Sequence, residues 1–298
     1  MKVNPTLGFI GTGNMGLPIA RNLLESGYSL RVFNRTAAKA KPLADLGAKL
    51  VGRCSEVAEP GGIVFTMLSD DRSLEEVGDT LAQALGNGGV QVSMGTVSPA
   101  ATRRVADQHR TFGGFYVAAP VFGRPEAAAA RALWICVSGA ETAKARVKPM
   151  LERLGRGLTD FGDDPGSANV AKLAGNFLLA SAVEAMAEMT AFAEKNGISR
   201  EKIIGLMTST LFACPIYQGY GKSLIEQRYR PPAGFRMELG LKDVSLVLQT
   251  AAAARAPMPL ANLVRDRMLS GLAKGRGDWD MAAFALGAAE DAGLEPPE

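Results

Sequence analysis

A single histidine, three cysteines and a net charge of only +3 set the first limits on this chain. With His109 alone, chemistry that spends a histidine as acid, base or metal ligand has little room, and proton transfer must fall to another group. His109 itself lies in a polar helical stretch, Ala100–Arg110, and is expected to be a solvated surface residue. Cys54, Cys136 and Cys214 are odd in number and widely scattered, so neither a disulfide framework nor a zinc site is indicated, and no metal is expected. A reducing cytoplasm suits such a set. The basic residues are dispersed, which leaves nucleic acid no stripe to bind. Long apolar runs are also missing: Ala180–Ala193 is broken by Glu184 and Glu188, so no membrane span is expected. Met1–Lys2–Val3–Asn4 runs straight into an apolar segment, so no signal peptide is expected. No internal repeat is visible, and Ala127–Ala130 is too short to count as low complexity. At 298 residues the chain is long enough for two cores.

What is present begins at once. A short apolar run ending at Ile10 leads into Gly11–Thr12–Gly13–Asn14–Met15–Gly16, and then into a helical pattern with Ile19, Ala20, Leu23 and Leu24 on one face. This is a strand, a tight turn and a helix, with G-x-G-x-x-G at the junction. Gly11 serves the sharp turn, Gly13 the approach of a pyrophosphate, and Gly16 the close packing of helix on strand. The helix N-terminus offers N–H groups and a partial positive charge to phosphates. Dinucleotide binding follows; the alternative is a glycine-rich turn that binds nothing. Dehydrogenases of the lactate, malate and alcohol classes use a histidine, so this chain works by another route.

The second strand, Ser29–Phe33, stops at Asn34–Arg35–Thr36. Such a strand usually ends in an acid that bonds the ribose hydroxyls of NAD. Here the carboxylate is gone and a guanidinium stands in its place, which suits a 2′-phosphate. The reading is NADPH over NADH; against it, Arg35 would be a solvated loop residue stacking on adenine. Further along come a helix at Ala37–Leu46, strands near Lys49–Val51 and Gly62–Met67, and a ligand-facing loop starting at Met67–Leu68. A helix at Leu74–Leu85 and a strand at Val90–Ser93 follow, then Gly95–Thr96–Val97–Ser98–Pro99, where Pro99 opens a helix capped by Ser98. Thr96 thus sits on a second ligand-facing loop, although it and Ser98 also read as ordinary turn and capping residues. Strands at Phe115–Ala118, Leu133–Ser138 and Gly157–Phe161 extend the sheet, with a rigid loop at Ala119–Pro125 and a helix around Glu141–Leu154 between them.

Composition changes at Gly162–Gly166, a turn-rich hinge. Ser167 to Asn196 then reads as one long helix closed by Gly197. The rest is helical in period: Arg200–Met207, Pro215–Gln227, Leu239–Arg255, Leu260–Lys274 and Trp279–Gly287. The expected architecture is α/β, a Rossmann-type doubly wound sheet domain over residues 1–162, followed by an all-α domain over 163–298 with the substrate site at their interface. Lys172 and Asn176 are four apart, hence on one helix face, among Val170, Leu173, Ala174, Phe177 and Leu178. A lysine so placed loses hydration, which equips it for proton transfer. Asn176 offers a donor and an acceptor to a substrate oxygen. Taken alone, Lys172 also reads as a snorkelling surface residue.

These residues, in this order, carry a resemblance. Gly11-x-Gly13-x-Met15-Gly16-x-x-x-Ala20-x-Asn22-Leu23, Thr96–Val97–Ser98–Pro99, Ala119–Pro120–Val121-x-Gly123, Gly166…Lys172-x-x-x-Asn176 and Lys242–Asp243 together resemble the β-hydroxyacid dehydrogenases. The resemblance spans nearly the whole chain and implies a reductase or dehydrogenase of 3-hydroxy acids and semialdehydes. It implies Lys172 as acid/base, Asn176 as substrate-binding residue, and Thr96 and Lys242 as cofactor contacts. Asn34–Arg35–Thr36 is similar to the NADPH-preferring reductases of the group. A homodimer or homotetramer is expected, the long Ala-, Met- and Leu-rich helix being buried against the first domain or a second subunit. One departure matters: the family usually has a serine after Pro-Val, and this chain has Phe122, then Gly123–Arg124–Pro125. Val121, Phe122, Gly123 and Arg124 are the candidate substrate-binding set. Either Arg124 takes over a substrate carboxylate or the substrate is larger and less polar, and the natural substrate stays open. An imine reductase is the nearest rival, mildly favoured by Phe122 and opposed by Lys172. A non-catalytic nucleotide-binding protein is the other, opposed by the paired Lys172 and Asn176.

Overall fold

Residues 4–295 are described by a computed structural model. The chain divides into two compact units at Lys172/Leu173, within one long helix.

In the first unit Leu7, Phe9 and Ile10 are buried because their strand, β1 (Thr6–Ile10), is flanked on both sides by parallel neighbours. Each such side chain contributes about 2 kcal/mol by leaving water. The chain continues through α1 (Gly16–Glu25), β2 (Ser29–Phe33), α2 (Lys41–Ala44), β3 (Lys49–Leu50), β4 (Ile63–Thr66), α3 (Asp71–Leu85), β5 (Val90–Ser93), α4 (Pro99–Thr111) and β6 (Phe115–Ala118). β7 (Val121–Phe122), α5 (Pro125–Ala129), β8 (Leu133–Gly139), α6 (Glu141–Leu151) and β9 (Gly155–Asp160) complete it. Among the described residues the strands form one sheet in the order β3-β2-β1-β4-β5-β6-β8-β7, with β9 beside β8. Pairing is parallel from β3 to β6, and β8 runs antiparallel to β6 and β7. The strand order reverses between β1 and β4, and in such sheets ligands bind at the carboxyl ends beside that point.

Local chemistry explains most of these boundaries. Ser98 caps α4, its Oγ accepting from the Ala101 N–H at 3.0 Å, with Pro99 in the first turn. Asp70 caps α3 in the same way, accepting from Ser73 N–H at 2.8 Å. The helix expected over Ala37–Leu46 divides into a 3-10 turn, Ala37–Ala40, and the short α2, with Pro42 in the first turn of α2. Residues 119–125, read as a loop, contain the two-residue strand β7, which forms a ladder with β8.

His109 corrects its sequence reading: it is fully buried on α4, not solvated. Gln91 Nε2 donates to Thr66 Oγ1, so the amide oxygen accepts from His109, and the imidazole is the neutral tautomer protonated at Nε2. Burial pushes its pKa down from 6.5 to about 4, since a proton on the unpartnered Nδ1 would bury an unsolvated charge. The unfolded chain takes up that proton near pH 6.5 and the folded chain only near pH 4. Stability therefore falls as pH drops from 6.5 towards 4, by about 2–3 kcal/mol at pH 4.5. Urea titrations at pH 7 and 4.5 should show this loss, and His109→Gln should remove most of the difference between the two conditions.

The second unit is all-α. The long helix α7 (Ser167–Lys195) runs into it, followed by α8 (Arg200–Ser209), α9 (Pro215–Glu226), α10 (Met237–Ala253), α11 (Pro259–Ala273) and α12 (Leu286–Asp291). Its core gathers Val183, Met237, Val264, Met268 and Phe284. The helix expected over Trp279–Gly287 is a 3-10 turn, Met281–Ala285, that precedes α12; Asp280 starts it by accepting from Ala282 N–H at 3.1 Å. By length and composition α7 is long and apolar enough to cross a membrane, which the sequence reading had set aside. Here it acts as a core helix: Ala180, Val183, Ala187 and Ala191 are buried in the helical core. Glu184, also buried, pairs with Arg267 of α11 at 2.7 Å.

Candidate active site

The G-x-G-x-x-G turn closes as its glycines require. Gly11 sits at φ +93°, and a Cβ there would fall on the Met67 carbonyl oxygen. A Cβ on Gly16 would fall on the carbonyl oxygen of Gly11. Gly13 differs: nothing lies within 4 Å of where its Cβ would be. The turn is thus tight on the protein side and open at Gly13, a cradle that a phosphate group fits. Beside it Thr12 is buried, with an Oγ1 that has no hydrogen-bond partner, an unspent donor suited to the same group. Asn14 and Met15 lead into α1; Leu17 N–H already donates to Gly13 O at 3.0 Å and Pro18 has none, so the partial positive charge at this helix end is what favours an anion.

Asn34 braces this turn from the end of β2. Its Oδ1 accepts from Thr12 N–H at 2.9 Å and its Nδ2 donates to Thr36 O at 2.8 Å. Its amide therefore serves the backbone, while Arg35 and Thr36 are exposed beyond it. Met67 follows β4, its N–H donating to Ile10 O at 2.8 Å. Gly95 lies so close to Leu68 that a Cβ would fall on the Leu68 carbonyl oxygen, which sets the loop of Thr96 against that of Leu68. Because β1, β2, β4 and β5 are parallel, Gly11–Gly16, Asn34, Met67, Leu68 and Thr96 all come to one edge of the sheet.

Lys172 is buried, with 8 % of its surface exposed, in the first turns of α7. That end of the helix is fastened to the sheet unit by groups the sequence reading did not single out. Thr102 Oγ1 donates to Asn169 Oδ1 at 3.2 Å, and Asn169 Nδ2 donates to Val97 O at 3.4 Å. Ser138 Oγ accepts from Ala168 N–H at 3.0 Å and donates to Pro165 O at 2.9 Å. The Lys172 ammonium lies over the face of Phe122, 4.1 Å from the ring centroid. Val121 is buried, and Gly123 takes φ +138° where a Cβ would meet Leu133 Cδ2 at 2.7 Å. Arg124 is exposed at the start of α5.

In the helical unit Asn176 and Lys242 meet through a carboxylate. Asn176 Nδ2 donates to Asp243 Oδ2 at 2.6 Å, and Lys242 Nζ lies 2.8 Å from Asp243 Oδ1. Asp243 is itself buried. The sequence marks it only as the neighbour of Lys242, and an acid directly before Val244 on a helix that also carries Leu246 and Val247 is the available signal. Among the described residues no group of three or more His, Cys, Asp and Glu side chains is placed to hold a metal ion.

Comparison with known proteins agrees with this layout. Residues 6–162 match the model for the NAD binding domain of 6-phosphogluconate dehydrogenase. Residues 166–286 match that for the NAD-binding domain of NADP-dependent 3-hydroxyisobutyrate dehydrogenase. The chain is 42 % identical to the uncharacterized oxidoreductase YfjR of Bacillus subtilis, over 93 % of this chain and 98 % of that protein. It is 33 % identical to the 2-hydroxy-3-oxopropionate reductase of Escherichia coli, over 93 % of this chain and 95 % of that one. Among solved structures, Mycobacterium tuberculosis 3-hydroxyisobutyrate dehydrogenase with L-serine superposes with a TM-score of 0.86. That pair shares 26 % identity over 95 % of this chain and 99 % of that one. The dinucleotide turn, the order of the motifs and these likenesses lead to one conclusion: the chain belongs to the β-hydroxyacid dehydrogenase family and is an NAD(P)-binding oxidoreductase that acts on CH–OH groups.

Proposed function

We propose that this protein is an NADPH-dependent reductase of small carbonyl compounds of the semialdehyde or 3-hydroxy acid type, with Lys172 as its proton donor. The observation that carries the reading is the buried Lys172 ammonium, fastened in place by Asn169 and Ala168 on the helix that also bears Asn176. A nicotinamide dinucleotide, when bound, supplies or accepts the hydride. Gly11–Gly16 and Thr12 would hold its phosphates, with Met67, Leu68, Thr96 and Lys242 as further contacts. Lys172 stabilises the developing alkoxide by its charge and then gives up a proton to that oxygen. Asn176, its amide oriented by Asp243, binds the substrate oxygen in this reading. Val121, Phe122, Gly123 and Arg124 line the substrate side in this reading. A steady-state scan of small semialdehydes, 3-hydroxy acids and cyclic imines, with NADPH and with NADH, tests it. Turnover confined to imines would replace the reading with an imine reductase, and no turnover of any class would leave a nucleotide-binding protein. The reading extends to a homodimer or homotetramer in a reducing cytoplasm, and the exposed Leu178 and Phe192 of α7 supply a face for self-association. Sedimentation of the wild-type protein checks that part.

Cofactor choice is assigned to Arg35, whose exposed guanidinium follows a strand that lacks the usual terminal acid. Because the pair with a 2′-phosphate would be solvent-screened, Arg35→Ala should weaken NADPH by about tenfold. NADH use should be nearly unchanged. Equal weakening of both cofactors, measured as Michaelis constants, would make Arg35 an adenine-stacking or structural residue instead.

A further inference from the structure

Phe122, which the resemblance sets in place of a serine, turns its ring face to Lys172. The ring is held firmly. Phe122 pairs with Trp134 across β7 and β8, and Cys136 N–H donates to Pro120 O at 2.9 Å just before the strand. Its side chain packs on an apolar cluster that includes Val97, Ala118, Cys136 and Ala168. The lysine is held as firmly from the other side, through the bonds of Asn169 and Ala168.

An ammonium 4.1 Å from a ring centroid is well inside the roughly 6 Å over which the negative face of an aromatic ring attracts a cation. The attraction is strongest where water is excluded, and Lys172 is buried. Two titratable groups of the cluster on which Phe122 packs stay neutral near neutral pH. Burial pushes up the thiol of Cys136 on β8, although the Lys172 charge acts on it in the opposite sense. Tyr116 on β6, in the same cluster, is pushed up to about 12. Neither is an anion there. A serine at this position would offer its hydroxyl to a substrate; a phenyl ring cannot, and it acts on the lysine instead.

We propose that Phe122 is a positioning residue whose ring face holds the Lys172 ammonium by a cation–π contact. The proposal rests on the reading of Lys172 as proton donor, and its test separates the two. Phe122 is replaced, by site-specific incorporation, with mono-, di- and trifluorophenylalanine, which keep the shape of the ring while draining its negative face. In each variant two quantities are followed: the pH midpoint for acetylation of Lys172 by acetic anhydride, read by mass spectrometry without turnover, and kcat for carbonyl reduction. The midpoint should move down stepwise across the series, by about one pH unit in total, a tenfold change in proton affinity. Phe122→Leu should shift it likewise and Phe122→Trp should preserve it, with kcat falling in parallel where the contact is lost. A flat midpoint across the fluorinated series overturns the proposal. A midpoint that moves while kcat stays constant overturns the part that Phe122 plays in turnover, while the contact itself stands; Lys172 as donor falls only if Lys172→Ala keeps full activity.

Discussion

Lys172→Ala is expected to lower the rate constant for carbonyl reduction by about 10²- to 10⁴-fold, the usual contribution of a side chain that transfers a proton in the transition state. NADPH should still bind with near-native affinity. The phosphate turn is built from β1, α1 and the end of β4, Asn34 braces it from β2, and the bonds given for it are those of Gly11, Thr12, Asn34 and Met67. Alanine also leaves the fastening of α7 intact, since Asn169 and Ala168 carry it. The arginine variant divides the two parts of the role. Lys172→Arg keeps the positive charge but, with a pKa above about 12, does not readily release a proton. If charge alone lowers the barrier, arginine should recover much of the activity; if proton donation dominates, it should be nearly as poor as alanine. Single-turnover reduction with bound NADPH, compared with NADPH titration by fluorescence, gives both quantities. Full activity in the alanine variant would take Lys172 out of the mechanism.

Features that depend on neighbours in the chain were legible in the sequence. The strand–turn–helix at Gly11–Gly16, the Ser98 cap with Pro99 behind it, and the long helix after the Gly162–Gly166 turn all rest on spacings of a few residues. The doubly wound sheet followed by helices could be read from the same local periodicities. What escaped was set by partners far away in sequence. His109 looked solvated because its helix is polar, yet its bonding partner Gln91 lies on β5, and the burial depends on that strand. Asp243 orients Asn176 across 67 positions, a relation that no local pattern encodes. Phe122 was legible as a departure from the usual serine, but that its ring faces Lys172 follows from the β7–β8 pairing, in a segment whose prolines argued for a loop. The apolar content of α7 is ambiguous for a related reason: composition alone does not tell that Ala180, Val183, Ala187 and Ala191 enter a core while Leu178 and Phe192 stay exposed.

The three glycines of the turn should fail in different ways when each is given a methyl group. At Gly16 the new Cβ would fall on the Gly11 carbonyl oxygen, which is backbone and cannot rotate away. Gly11 adds a φ of +93°, which an L-residue rarely adopts, to a clash with the Met67 carbonyl. Gly11→Ala and Gly16→Ala should therefore each destabilise the fold by about 3 kcal/mol or more, the upper range for overpacking. That corresponds to a melting temperature lower by about 5 °C for a protein of this size. Gly13→Ala carries neither burden: its Cβ meets nothing within 4 Å, and Gly13 is absent from the positive-φ glycines. Its melting temperature without cofactor should match wild type within about 1 °C, since a surface methyl that touches nothing costs little. The same open space is where a pyrophosphate must approach the backbone, so the methyl should weaken NADPH and NADH together, by about 100-fold or roughly 2.7 kcal/mol. Calorimetric melting of the apoprotein and titration with each dinucleotide separate the two classes of defect. A Gly13→Ala protein that melts normally and binds both dinucleotides normally would show that the phosphates lie elsewhere, and would remove the turn at Gly11–Gly16 from the cofactor site.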